Sequence, residues 1–208
     1  MTKQFRTEQE EFWCGDFGSE YIERCSTLDF LPSRVNFVTN ILMRTAGVQS
    51  VLELGTNVGL NCDAIKIVKP SIDYYGVEIN PEAIEILKTK DVKKIFEGSL
   101  LEFEPQQLGK YDFVFTSGVL IHINPEYLDH MYKLLYECSS KYMVISEYFN
   151  PTPVEVTYRG HDEKLFKRDF AGEFMDKYPD VELVDYGFLY RRDNNYPGDD
   201  VNWFLLRK

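Results

Sequence analysis

From residue 50 onward, short apolar runs alternate with segments whose apolar positions recur at helical spacing. Val51, Leu52 and Leu54 suit a buried strand, read over 50–55. The pattern then predicts a helix over 59–68, a second strand over 73–79 and a helix from Asn80 to about Lys90. A third strand (93–98) and a fourth (111–116) follow, then a helix from Asn124 to about Cys138 and a fifth strand (141–148). Asn80-Pro-Glu82 and Asn124-Pro-Glu126 both read as helix starts: asparagine at the N-cap, proline at the first helical position, an acid in the first turn. Strands alternating with helices predict a parallel sheet that takes ligands at the carboxyl ends of its strands.

Both ends of the chain break this rhythm. Residues 8–13 read as a helix, 14–18 as a break, and Ser19 as the N-cap of a helix through Arg24. A longer helix is expected over 32–46, with Val35, Val38, Ile41 and Leu42 on one face. Residues 1–48 thus form a helical leader or lid packed on a core of 49–208, the whole being a single domain. Toward the other end, 150–167 is irregular and 169–177 helical. The runs 181–190 and 201–207 read as two strands, joined by a stretch too short for a crossover helix, so they pair antiparallel or lie apart.

With 208 residues the chain can bury the core of one α/β domain. Its net charge of −11 and the absence of a long basic run argue against a general nucleic-acid binder. The four cysteines are scattered with no C-x-x-C pair, which points to free thiols in a reducing cytoplasm. No apolar run is long enough for a membrane span, and the first residues lack an apolar signal core.

The chemistry gathers at Glu53-Leu-Gly55-Thr-Asn57-Val-Gly59, between the first strand and its helix. Glycines there let a ligand approach the backbone and permit positive φ. The spacing is not the G-x-G-x-x-G of dinucleotide binders. Glu78, at the tip of the second strand, sits where an acid accepts hydrogen bonds from ribose hydroxyls. The loop resembles motif I of the class I S-adenosylmethionine (SAM) methyltransferases, [DE]-x-G-x-G-x-G, with Asn57 at the middle glycine; asparagine tolerates left-handed backbone. That resemblance implies a Rossmann-like fold: a mostly parallel seven-stranded sheet with one antiparallel strand and helices on both faces. It also implies SAM as cofactor. Glu53, Gly55, Thr56, Asn57 and Gly59 would hold its methionine portion and approach the ribose, which Glu78 and Ile79 would bind. Gly98, Ser99 and Leu100 would face the adenine. The family commonly carries an acid where Ser99 stands, so recognition there leans on the Leu100 amide. Ser117 would lie nearest the transferred methyl.

A sulfonium is already a good electrophile, so methyl transfer asks mainly for positioning and a dry site. An oxygen acceptor also needs a base. His122 is the best-placed candidate, unless it only hydrogen-bonds near the helix start at Asn124. Glu147 and Tyr148 are second candidates, with a plain solvated carboxylate as the other reading of Glu147. Trp13, Phe17 and Tyr21 either pack the leader on the core or line a lid over the acceptor. Tyr158, Arg159 and His161 lie on the irregular segment that would cover it. The cluster Lys164-Leu-Phe-Lys-Arg168 is either an anion site or a solvated surface. Metal-dependent relatives carry aspartates where Thr116 and Ser117 stand, and no His/Cys cluster is present, so no metal is expected.

A narrower likeness runs through Glu11-Phe-Trp-Cys-Gly-Asp-Phe-Gly-Ser-Glu-Tyr21, Gly118-Val-Leu-Ile-His-Ile-Asn-Pro125, Glu147-Tyr-Phe-Asn-Pro-Thr-Pro-Val-Glu-Val156 and Trp203-Phe-Leu-Leu206. These stretches resemble the methylases associated with pseudaminic acid biosynthesis. The resemblance implies a SAM-dependent enzyme acting on a small, sugar-derived acceptor, a nonulosonate or nucleotide sugar of bacterial surface glycans. Two other readings stay open at this point. One is a nicotinamide-dependent oxidoreductase; the other is a non-catalytic partner in a glycan-assembly complex.

Overall fold

The computed structural model describes residues 5–25 and 28–208. The side chain of Cys25 and the first four residues lie outside what it describes. Cys62 and Cys138 are buried free thiols. In chain order the elements are α1 (Glu8–Cys14), α2 (Asp16–Cys25), α3 (Leu31–Leu42), β1 (Ser50–Leu54), α4 (Leu60–Val68), β2 (Asp73–Glu78), α5 (Pro81–Leu87) and β3 (Lys94–Glu97). Then come α6 (Pro105–Leu108), β4 (Tyr111–Ser117), α7 (Leu128–Cys138), β5 (Ser139–Glu147), β6 (Val154–Glu155), β7 (Phe166–Lys167), α8 (Phe170–Lys177), β8 (Glu182–Leu189) and β9 (Val201–Arg207).

The main sheet has seven strands in the order β3-β2-β1-β4-β5-β9-β8. All neighbours through β5 are parallel, and β9 runs antiparallel to both β5 and β8. One strand is therefore reversed, as the short 191–200 connection requires. After β3 the chain crosses back to lay β4 on the other side of β1. The crevice outside β1 and β4 is the switch point where such sheets take ligands.

Alternation along each strand divides the core between the two faces. Val51, Val144 and Leu205 point to the side covered by α3 and α4, among Phe37, Ile41 and Ile65. Leu52, Met143 and Leu206 point to the side covered by α7 and α8, among Met131, Leu134 and Phe174. Among the described residues no helix is long and apolar enough to cross a membrane.

Several elements differ from the sequence reading. The break between α1 and α2 is Gly15 alone, whose N–H still reaches the Glu11 carbonyl at 2.9 Å. Ser19 caps nothing: its N–H bonds the Gly15 carbonyl inside α2. The two helices meet so closely that a Cβ on Gly18 would fall 1.9 Å from the Trp13 carbonyl oxygen. The third helix stops at Leu42, and the Ala46 N–H is taken by the Tyr142 hydroxyl at 3.1 Å. Asn124-Pro125 opens a 3-10 turn (Pro125–Tyr127) before α7. The segment read as irregular contains the β6–β7 hairpin, too short to show a period of its own.

Candidate active site

At the carboxyl ends of β1 to β4 lies a cavity of about 350 Å³. The loop after β1 forms its floor. Gly55, Asn57 and Gly59 all take left-handed backbone, with φ of 83°, 49° and 78°. Asn57 thus adopts the conformation expected of the glycine it replaces. A Cβ on Gly55 would lie 2.5 Å from Val119 Cγ2, so the loops after β1 and β4 can touch only because that side chain is missing. Gly59 lies outside the cavity wall, contrary to expectation: it packs on α5, where a Cβ would meet Leu87 Cδ1 at 2.5 Å.

Glu78 is buried and lines the cavity. Its Oε2 accepts the Asn57 N–H at 2.6 Å, and Oε1 accepts those of Ile79 and Asn80 at 2.9 and 2.8 Å. Burial raises its pKa and the amides oppose the rise. A carboxylate offers about four lone-pair sites, so one remains for a ligand. Glu53 is more deeply enclosed, bonded by Tyr74 Oη and by Asn61 Nδ2 at 2.6 Å. Burial pushes its pKa up to about 8 against these donors and the nearby Arg34. Asn61 Oδ1 is buried with no partner in the protein.

At the β3 end, Gly98, Ser99 and Leu100 line the wall, together with Ile79 and Thr56. Ser99 is engaged by protein groups: its Oγ accepts the Leu101 N–H at 3.0 Å and donates to Glu10 of α1.

On the β4 side, Ser117 lines the cavity and accepts from Arg34 Nη1 at 3.4 Å, while Arg34 Nη2 pairs with Asp199 at 3.2 Å. His122 is buried, and its Nδ1 faces the Lys164 carbonyl at 2.6 Å. Desolvation holds its pKa down at about 4. The Trp13 ring packs on His122 (centroids 4.5 Å apart) and Tyr158 lies on another side at 5.1 Å. Tyr21 and Phe17 meet Trp13 edge-on at 5.3 and 5.5 Å. Tyr148 lines the cavity, its hydroxyl pKa raised by burial to about 12. Arg159 also lines it, held with Gly160 in left-handed backbone at a two-residue turn that pairs Tyr158 with His161.

Three candidates do not fit the roles expected of them. Glu147 is 3 % exposed, so it is no solvated carboxylate, and it does not reach the cavity. Its oxygens accept the N–H groups of Val119 and Leu120 at 3.1 Å and of Ile121 at 3.4 Å, tying the 118–122 loop to β5. Its pKa is nonetheless pushed up to about 7 by burial. His161 is exposed and lies edge-on to Phe12 and Phe17, outside the cavity wall. The basic cluster is spent on neighbours: Lys164 on Glu8, Arg168 on Glu173, and Lys167 over the Tyr148 ring.

Sequence reasoning missed Gln9, Glu10, Arg34, Asn61 and Asp199, all in the wall. Only Glu10 left a signal, as the last residue of the capping box Thr7-x-x-Glu10. Among the described residues no group of three or more His, Cys, Asp or Glu could hold a metal ion.

The family model described as a methyltransferase domain matches residues 8–186. No curated protein matches the sequence. Among solved structures, magnesium protoporphyrin IX methyltransferase from Synechocystis PCC 6803, with bound SAM, superposes with a TM-score of 0.65 at 12 % identity over 99 % of this chain and 100 % of its own. A SAM-dependent methyltransferase from Archaeoglobus fulgidus gives 0.63 at 17 % identity, over 93 % of this chain and 100 % of its own. The plantazolicin methyltransferase BpumL, in complex with S-adenosylhomocysteine, gives 0.63 at 13 % identity, over 96 % and 93 %.

Proposed function

Since the chain belongs to the methyltransferase-domain family and is a SAM-dependent methyltransferase, we propose that it methylates a small, sugar-derived acceptor, a nonulosonate or nucleotide sugar of surface-glycan assembly. When bound, SAM supplies an activated methyl group on a sulfonium. The wall suits that cofactor chemically. Asn61 Oδ1 is an orphaned buried acceptor beside the Glu53 carboxyl, matched to an ammonium donor. Glu78 keeps a lone pair for ribose hydroxyls. Arg34 and the left-handed backbone at Gly55 and Asn57 supply a cation and a close approach for the carboxylate end.

The acceptor reading is carried by one arrangement. The neutral His122 ring stands in the wall between Trp13 and Tyr158, beside the Ser117–Gly118 end of β4. Aromatic faces pack well on the apolar faces of sugar rings, and Arg159 adds a cation for an acidic sugar. The sequence likeness to pseudaminic acid-associated methylases supports the same class.

His122 is the proposed base. With Nδ1 donating to Lys164, Nε2 carries the lone pair. A pKa near 4 makes it a weak base, but a hydroxyl becoming an oxonium as the methyl arrives is a far stronger acid, so a weak base is sufficient. The leader, residues 1–48, then acts as a cover on the 49–208 core, with the Trp13 wall excluding water from the transfer.

The test is incubation with SAM and separate panels of nucleotide-activated nonulosonates, neutral nucleotide sugars and catechols, read by mass spectrometry. A methyl adduct confined to the acidic sugars supports the proposal. Adducts on catechols only, or on none, would reject the acceptor class.

A further inference from the structure

Glu10 stands against the carboxyl end of β3. It is 8 % exposed, belongs to α1, and lines the cavity beside Gly98 and Leu100. Its two oxygens have separate tasks. Oε2 accepts the N–H groups of Arg6 and Thr7 at 2.6 and 3.1 Å, which completes the helix cap. Oε1 turns to the end of β3 and accepts the Ser99 hydroxyl proton. Ser99 is free to donate because its oxygen already accepts from Leu101. Arg6 Nη1 adds a second tie, donating to the Leu101 carbonyl at 2.6 Å. The leader is thus fastened to the end of β3 at two points, and a carboxylate is delivered to the place where that strand's own loop carries only a hydroxyl.

A carboxylate used for capping alone would need one oxygen and could leave the other in water. Enclosing the second oxygen is costly unless donors satisfy it, and Ser99 supplies one for two lone pairs. From this placement we infer that Glu10 accepts the exocyclic amino group of the adenine, so that α1 belongs to the cofactor site and selects adenosyl over other nucleosides. The inference rests on SAM being the cofactor. It makes the leader a reader of the nucleoside as well as a cover for the acceptor.

The experiment is calorimetric titration with two probes, S-adenosylhomocysteine and S-inosylhomocysteine. These differ at position 6, where adenine has an amino donor and hypoxanthine a carbonyl acceptor. The unaltered protein should prefer the adenosyl form by roughly ten- to a hundredfold, as expected for a hydrogen bond to a charged group. Glu10→Gln can offer an N–H to the inosyl carbonyl, so that preference should fall at least tenfold. Glu8→Ala removes the ion pair that the same helix makes with Lys164, outside the cavity wall, and should leave the preference intact. If Glu10→Gln weakens both probes equally, or leaves their ratio unchanged, Glu10 only caps the helix and the inference falls. If the unaltered protein binds neither probe, the cofactor assignment falls and takes the inference with it.

Discussion

His122 donates its Nδ1–H to the carbonyl of Lys164 at 2.6 Å, so the ring is fixed in one tautomer by the segment that leads into β7. The bare Nε2 follows from that bond. With its pKa held near 4, the ring stays neutral through the physiological range. His122→Ala should lower kcat by about a hundredfold, the usual scale for a lost base, with SAM affinity changed little. The unaltered enzyme should show no break in kcat near pH 6.5. Steady-state assays from pH 5 to 9 check both.

Buried groups of two kinds shape stability against pH. His122 has a folded pKa below its ordinary 6.5, so the stability it supports is lost as pH falls from 6.5 toward 4. Glu53 and Glu147 have folded pKa values of about 8 and 7, well above 4.5. Their protonated forms favour the fold, and that contribution fades as pH rises from 4.5 through 7 to 8. Melting temperature should therefore peak at mildly acidic pH and decline toward pH 9. Glu53→Gln should flatten the alkaline side; an unchanged decline would mean other groups carry it.

A cation bound beside Glu53 favours its carboxylate. SAM binding should then expel a proton below pH 8, and affinity should rise with pH up to that point. Calorimetry in buffers of different ionisation enthalpy measures the released proton directly. Glu53→Gln should abolish the release.

The glycine loop offers a contrast between neighbours. Gly55→Ala puts a Cβ 2.5 Å from Val119 and forces alanine to φ 83°. The cost should be about 2 kcal/mol or more, with loss of cofactor binding. Asn57→Gly, at φ 49°, should be within about 1 kcal/mol of neutral and keep binding. Chemical denaturation and titration of both variants give the comparison.

Glu147→Gln keeps one acceptor oxygen but turns an N–H toward backbone donors. Since the carboxylate serves three amides of the 118–122 loop, the change should cost about 1–3 kcal/mol. Its effect on turnover should come through a disordered loop. Raised exchange of the Val119 to Ile121 amides in deuterated solvent would show this.

The fold was legible because its elements carry their own periodicity. Val51 to Leu54 and Val201 to Arg207 are readable wherever the chain goes next, and Glu78 is readable because strand and loop fix its offset from Gly55. The rest of the site depends on distant pairings. Arg34 gained its place from Asp199 and Ser117, 165 and 83 residues away. Glu147 looks solvent-facing at a strand end until the 118–122 loop folds back onto it. His161 was read with Tyr158 because they are neighbours, yet the tight turn pairs them across a hairpin and leaves His161 on the outer surface.

The cavity wall draws on residues from Thr7 to Val201. Its floor forms early in the sequence, between β1 and β2, but the wall closes only when α1 and β9 arrive from opposite ends of the chain. Such distant closures are the slow part of folding a parallel sheet. Ligand competence is therefore a late event, and a nascent chain lacking β9 has no complete binding site. A ligand that touches this wall links the chain's two extremities, so its binding energy, about 3 kcal/mol at a hundredfold excess over Kd, resists opening of the whole molecule.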